Sequence, residues 1–456
     1  MVARPKDQTA KKTRRASGDG GLFYSPSAGL WTAKVELPPD PETGARRPKV
    51  IRRKLKEDAR DELDEVQARI RAGIDVSKDP TVESWMWHWY ENVDDSRPTT
   101  RALSRSKIVQ YIVPVLGTVK LSELRPYHLG ELHAFVRGKG LSPTTARAAH
   151  AITQSALASA VANRLILSNP AQQAKKPKQK RVVQSSLDVE QSRRLLRAVA
   201  PDRLAARYAM ALLTGARQGE VLGLELDRIN WATGEIDLAW QLQRLLWSHG
   251  CRQFQRDPIR CGKTRGVNCP DRFLDMREHH EYRHISGGLW WGRPKSAAGE
   301  RTIPLEEPLR TVLALRVDAA AGEPNPHGLV FTAPGKRVRN TTRIAPLDGR
   351  PIDPSNDNAA WHAALALAGL PPVKLHSARH STVSVLNAIG VPESVIIQIV
   401  GHSSVIQARA YDRRDAGPAR AALAQVGGLF DLGELVPSRT VPVLSGSSSH
   451  DLGDRS

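Results

Sequence analysis

Apolar residues recur at every second position near the N-terminus and at helical spacing through most of the remaining chain. The stretch "GLFYSPSAGLWTAKVEL" predicts two short strands around a turn at Ser27–Gly29. "DPETGARR" predicts a second turn, and "PKVIRRKLK" a third strand in which apolar and basic residues alternate. "DARDELDEVQARIRAG" then changes to helical spacing, with Gly73 as its stop. Residues 20–75 therefore read as a small α+β unit of three strands and one helix.

From 80 to 172 the spacing is helical throughout. Thr81, Ser122 and Ser142 are the expected helix starts, with Gly or Asn-Pro stops, giving an all-α unit of four or five helices. Trp85, Trp87, Trp89 and Tyr90 read as core, because i, i+2 and i+4 positions of one helix cannot all face one way. Residues 187–430 predict a larger, mainly helical unit with two strand-like stretches, "EIDLAWQLQRLLW" and "ERTIPL". Residues 1–19 read as a flexible basic arm, 173–186 as a linker and 431–456 as a disordered tail with little to bury. The expected fold class is multidomain: a small α+β domain, an all-α domain, and a mainly α domain carrying a small β-sheet.

Charge narrows the function. The 456 residues hold 67 Lys and Arg against 47 Asp and Glu, a net charge of +20. A surplus of that size calls for a polyanion, most often nucleic acid. An anionic membrane is the competing partner, but no apolar run approaches the ~18 residues a spanning helix needs, and the basic residues are spread along the chain. The N-terminus has no apolar signal region, and three cysteines make no disulfide framework, so a reducing cytoplasm is expected. Two basic clusters are candidate DNA contacts. Arg47, Lys49, Arg52, Arg53 and Lys54 lie on or beside the third strand, suggesting a sheet laid into a DNA groove; a solvated basic face is the plainer reading. Lys175, Lys176, Lys178, Lys180 and Arg181 crowd the linker, suggesting a strap along a phosphate backbone; the alternative is a polar spacer.

Four stretches of the last unit set polar residues in apolar surroundings. "TGARQGEVLGL" spaces Arg217 and Glu220 at i, i+3, where Glu220 reads as a structural partner of Arg217. "GRPKSAAGERTIPL" puts Lys295 in a small-residue turn ahead of a strand. "KLHSARHSTVSVL" puts His376 and Arg379 on one helix face, and "VGHSSVIQARAYDRR" supplies His402 and Tyr411. Each alone is more often a salt-bridged arginine, a solvated lysine, a helix cap or a core aromatic. As a set they describe a chemistry. Two guanidinium groups can grip a phosphodiester and balance its transition-state charge. A tyrosine hydroxyl beside cations and a proton acceptor can attack phosphorus, and a Lys or His can protonate the departing sugar oxygen. With no carboxylate cluster for Mg²⁺, the set reads as metal-free transesterification through a phosphotyrosine.

In this order and spacing the residues resemble the tyrosine recombinase (phage integrase) family over about 80–430. The resemblance implies Arg217 and Arg379 as phosphate clamps, Lys295 as general acid toward the 5′ hydroxyl and His376 as acid/base. His402 would donate to the phosphate, and Tyr411 would form a 3′-phosphotyrosyl link. The N-terminal unit looks like an arm-binding domain, which implies an integrase holding core-type and arm-type sites on double-stranded DNA. Site-specific DNA integration and excision of a phage or other mobile element would then proceed as a homotetramer through a Holliday junction, with no cofactor for catalysis. An excisionase and a DNA-bending protein would set direction. The rival functions are a type IB-like topoisomerase and a catalytically silent DNA-binding regulator on the same scaffold; a nuclease would need a metal-binding carboxylate cluster.

One segment stands apart. Residues 248–284 interrupt the hairpin leading to Lys295 and hold all three cysteines, Cys251, Cys261 and Cys269. With His249 as the preferred fourth ligand, these would form a structural zinc site. The spacing matches no standard finger, and a basic surface loop with reduced thiols is the alternative.

Overall fold

The computed structural model describes residues 21–37, 39, 43–77, 79–178, 185–252, 257–295, 299–336, 341–401, 416–430 and 435. By its contacts the chain forms two units, Met1–Arg181 with Trp247–Arg277, and Val182–Leu246 with Glu278–Ser456. Among the described residues no helix is long and apolar enough to cross a membrane.

The first unit opens with an antiparallel sheet of β1 (Gly21–Ser25), β2 (Leu30–Leu37) and β3 (Arg47–Arg53) in that order, followed by α1 (Lys56–Arg71). Strand alternation sends Ala33, Val35, Leu37 and Ile51 to one face, where they pack with Leu63 and Val66 of α1. That face also takes Arg53, paired with Glu62 at 2.5 Å, and Arg47, which reaches Ser77 Oγ at 3.4 Å. The opposite face is open and carries Phe23, Lys34, Val50 and Arg52.

The next helices are α2 (Val82–His88), α3 (Pro98–Lys107), α4 (Val113–Leu116), α5 (Pro126–Gly138), α6 (Pro143–Ala162) and α7 (Pro170–Gln173). Thr81 caps α2, its hydroxyl accepting from Ser84 N at 3.2 Å. Trp85, Trp87, Trp89 and Tyr90 are all buried in the core of this bundle. The expected helix start at Ser122 is corrected: Leu121–Glu123 is a single 3₁₀ turn and α5 begins at Pro126. Ser122 donates its hydroxyl to Asp79 at 2.7 Å, while the proline ring presets the first helical φ four residues later.

The second unit comprises α8 (Val189–Val199), α9 (Ala205–Thr214), α10 (Gln218–Leu222), β4 (Ile229–Asn230), β5 (Glu235–Asp237), β6 (Gln241–Arg244), β7 (Tyr282–Ser286), β8 (Leu289–Gly292), β9 (Thr302–Pro304), α11 (Leu309–Ala319), α12 (Pro354–Leu367), α13 (Ser377–Ala388), α14 (Glu393–Val400) and α15 (Gly417–Phe430). Helix α9 is buried along its whole length, packed by α8, α10, α11, α13 and α15. Two small antiparallel sheets, β4-β5-β9 and β6-β8-β7, flank the helices.

The Cys/His segment departs from its expected place in this larger unit: Trp247–Arg277 belongs with the first unit. The reason is a set of polar anchors at its end. Arg101 donates to Asp275 at 3.0 Å, the Tyr90 hydroxyl bonds the same carboxylate, and Arg277 donates to the carbonyls of Glu91 at 2.9 Å and Asp94 at 3.0 Å.

Arg207 of α9 and Asp357 of α12 form an ion pair, each side chain 2% exposed. Gln218 Nε2 adds a hydrogen bond to Asp357 at 2.8 Å. Asp357→Ala leaves the Arg207 charge buried without its partner, so it should cost about 3–5 kcal/mol. Urea unfolding followed by circular dichroism measures this.

Candidate active site

Helix α9 ends where the chain turns through Gly215, at φ +64°. That left-handed turn suits glycine, and space demands it too. A Cβ here would stand 3.0 Å from Val400 Cγ1 and 3.3 Å from Thr382 Cβ. The turn therefore lets α9, α13 and α14 converge. The Gly215 carbonyl accepts a hydrogen bond from Arg379 Nη1 at 2.9 Å.

Two residues on, Arg217 caps α10. Its backbone N–H donates to Glu220 Oε2 at 2.8 Å and its guanidinium to Glu220 Oε1 at 2.6 Å, so one carboxylate holds both the main chain and the side chain of the N-cap residue. Its other terminal nitrogen donates to the Gly401 carbonyl at 2.6 Å. Arg301, at the foot of β9, supplies the second half of the carboxylate's partners, donating to Oε1 at 3.1 Å and Oε2 at 3.0 Å. Arg301 also donates to the Ile399 carbonyl at 2.8 Å. The Glu220 side chain is 0% exposed, so it depends on these four donors. Burial alone would raise its pKa; the charge and hydrogen bonds of Arg301, then those of Arg217, outweigh that and hold it below the ordinary 4.5.

Arg379 lies deeper, 2% exposed. Burial first, then repulsion from Arg217 and Arg301, push its pKa down to about 9, against the pull of Glu220. It remains cationic at pH 7 but at an energetic cost that a bound anion would relieve. His376 stands one turn earlier at the start of α13, exposed, its ring centroid 5.3 Å from that of His380. Partial desolvation, then His380, Arg379 and Arg217, lower its pKa from 6.5. It is thus mostly neutral at pH 7, the form that can accept a proton. Arg217, His376 and Arg379 line one cleft with Gln218, Lys374 and Asp357.

Lys295 is exposed at the head of the loop between β8 and β9. The same loop reaches the cluster farther along, where a Cβ on Gly299 would lie 3.8 Å from Arg217 Nη1. His402 and Tyr411 lie outside the described residues; Gly401, bonded to Arg217, immediately precedes His402. Lys175, Lys176 and Lys178 are placed in the stretch after α7, whereas Lys180 and Arg181 also fall outside the described residues. Of the sheet residues, Arg52 faces solvent on the open side, Lys54 is exposed just past the strand, and Arg47, Lys49 and Arg53 share the register of buried Ile51. His249, Cys251, Cys261 and Cys269 come together in the first unit.

Arg301 is the functional residue that sequence reasoning missed. It stands in "ERTIPL", whose pattern reads only as a strand. A signal existed nonetheless: a buried carboxylate offers about four acceptor sites, more than one neighbouring arginine fills.

Glu220→Gln removes the negative charge that balances the arginines and should destabilise the protein at pH 7. Because the folded-state pKa is depressed, the stability from Glu220 is present above its ordinary value and is lost as pH falls through the lower folded value. The gap between wild type and Glu220→Gln should therefore narrow below pH 4.5. Urea melts at pH 7 and at successively lower pH test this; a gap constant across that range would contradict it.

Residues 281–417 match the phage integrase family model. An integrase of Saccharopolyspora erythraea is 28% identical over 430 residues, covering 88% of this chain and 94% of that protein. An integrase of Streptomyces ambofaciens is 25% identical, covering 89% of this chain and 94% of its own length. Among solved structures, the Tn1549 transposon integrase in complex with transposon right end DNA superposes with a TM-score of 0.52 at 16% identity, covering 76% of this chain and 99% of that one, which shows a shared fold. The segment that matches the phage integrase family model contains Lys295, His376, Arg379, His402 and Tyr411, and the chain is similar to integrases along most of its length.

Proposed function

We propose that the protein is a site-specific DNA integrase whose cleft holds one scissile phosphodiester between Arg217 and Arg379. The convergence of these two guanidinium groups with His376 on one cleft carries this reading. Each arginine keeps a backbone or carboxylate anchor, so the donors are positioned before DNA arrives and need little reorganisation.

The chemistry follows from the residue types. The Tyr411 hydroxyl attacks phosphorus, its proton passing to His376, while the bond from phosphorus to the 5′ oxygen breaks. Lys295 protonates that oxygen, leaving a free 5′ hydroxyl and a 3′-phosphotyrosyl link. Attack by a 5′ hydroxyl from the partner duplex reverses the step and regenerates Tyr411. Bond energy is conserved in the link, so no ATP enters. The detailed division of labour is part of the proposal: residues 20–75 bind arm-type sites, 80–172 and the linker clamp the core site, and 187–430 carry the chemistry. A homotetramer on two duplexes, assisted by an excisionase and a bending protein, would exchange the strands in the bacterial cytoplasm. The likeness to integrases of Saccharopolyspora erythraea and Streptomyces ambofaciens supports this choice over a topoisomerase.

Purified protein mixed with labelled duplexes tiled across the DNA flanking its own gene, without metal or ATP, should form an SDS-stable, protease-sensitive adduct on one duplex. Tyr411→Phe should abolish it, and Arg217→Ala or Arg379→Ala should slow it by about 10²–10³. Adducts on every duplex would point to a topoisomerase; binding without adduct on nicked suicide substrates would sink the catalytic reading.

The open sheet face yields a separate expectation. Arg52→Ala should weaken arm-site binding and lower the salt slope by about one. Arg53→Ala should do so less, since Arg53 is committed to Glu62. Fluorescence anisotropy at several salt concentrations compares the two.

A further inference from the structure

The segment Trp247–Arg277 folds almost without apolar support. Its described residues include only three buried ones, His249, Arg252 and Cys269. Ile259, Val267 and Phe273, which could have formed a core, are exposed. Regular structure is equally sparse among the described residues: one 3₁₀ turn at Gly266–Asn268 and a single bridge, Ser248 to Phe273, closed by hydrogen bonds of 2.8 and 3.1 Å. A loop of this length needs some other interaction to offset the entropy of ordering it.

The side chains at its centre are of one chemical kind. His249, Cys251, Cys261 and Cys269 each offer a ligand atom, and these atoms all lie within 4.8 Å of one another. The cysteines are free thiols, not disulfides. Cys261 Sγ is 3.4 Å from His249 Nδ1. In a tetrahedral zinc site with Zn–S near ~2.3 Å and Zn–N near ~2.0 Å, sulfur and nitrogen vertices stand about 3.5 Å apart. The backbone closes tightly around the cluster. A Cβ at Gly250, between His249 and Cys251, would fall 1.9 Å from the Asp271 carbonyl oxygen; one at Gly266 would fall 2.0 Å from that of Trp247. Both glycines allow main chain to pass against main chain where the ligands gather.

We propose that these four residues bind one structural Zn²⁺, through His249 Nδ1 and the three thiolate sulfurs. Binding forms three Zn–S bonds and one Zn–N bond and releases the thiol protons to solvent. Thiolate and imidazole ligands favour zinc over hard cations. With all four positions filled by protein, the ion has no open site for substrate, so it takes no part in strand cleavage. Its effect is to act as the core of the segment. Once tied, the segment presents Asp275 to Arg101 and Tyr90, and Arg277 to the carbonyls of Glu91 and Asp94. The metal thus orders a loop that the helical part of the first unit then holds.

The test uses the full-length protein, purified without a metal-affinity step and analysed by plasma mass spectrometry. One zinc per chain is expected, released on titration with p-chloromercuribenzoate and detected by a chromogenic chelator. Cys269→Ser and Cys261→Ser should lose the zinc, while His376→Ala and Tyr411→Phe should keep it; these two controls separate the site from the catalytic cleft. Should a cysteine variant fail to fold, cobalt exchanged into the wild type reports instead, through thiolate charge-transfer bands and the intense visible bands of a tetrahedral site. Protein that binds neither zinc nor cobalt stoichiometrically, or that keeps its zinc in folded Cys269→Ser, would overturn the proposal. Failure of adduct formation would leave it standing, because metal content is read without DNA.

Discussion

The buried carboxylate of Glu220 is the point on which the catalytic half depends. Its four donors come from two arginines on separate elements. Through Arg217 it fixes the start of α10 and the Gly401 carbonyl. Through Arg301 it fixes the foot of β9 and the Ile399 carbonyl. Helix, strand and the end of α14 are thereby referenced to one pair of oxygens. A hydrophobic contact would not do this, since packing is non-directional and a bidentate guanidinium pair is not.

One carboxylate cannot neutralise three guanidinium groups. The remainder is felt by Arg379, whose pKa of about 9 records both its burial and the repulsion of its neighbours. The same surplus helps keep His376 neutral. In the proposed reaction a phosphodiester brought into the cleft would supply the missing negative charge, and the transition state would supply more. The fold therefore holds an unfavourable charge arrangement in the free protein that a bound phosphate would relieve. In that proposal the acceleration would come from donors anchored before DNA arrives, Arg217 by Glu220 and Arg379 by the Gly215 carbonyl.

Much of the architecture was legible because it is local. Alternation along "LWTAKVEL" marks a strand whichever neighbour it meets, and Thr81 caps its helix by reaching only three residues ahead. Glu220 was readable as Arg217's partner for the same reason. What escaped needed distance. Arg301 meets Glu220 from 81 residues away, and nothing in "ERTIPL" announces it. Strands β7 and β8 are too short for a period to register, and β8 lies between two strands separated from each other by the whole inserted segment. The segment itself was assigned to the unit its flanks belong to, while Asp275 and Arg277 hold it to residues 185 and 186 positions earlier in the chain.

With the proposed zinc, charge and metal would divide the work in this molecule. In the cleft, guanidinium groups must stay under-neutralised, since a further carboxylate at the arginines would compete with the phosphate. In the Cys/His segment the requirement is the opposite: every ligand must be satisfied, because the loop has almost no apolar area to fall back on. A closed site of three thiolates and one imidazole would meet that need without leaving an exchangeable position. The cleft arginines and the Cys/His cluster lie in different units of the chain. A change in one should then leave the other's readout intact, so metal content and adduct formation can be treated as independent probes of the same protein.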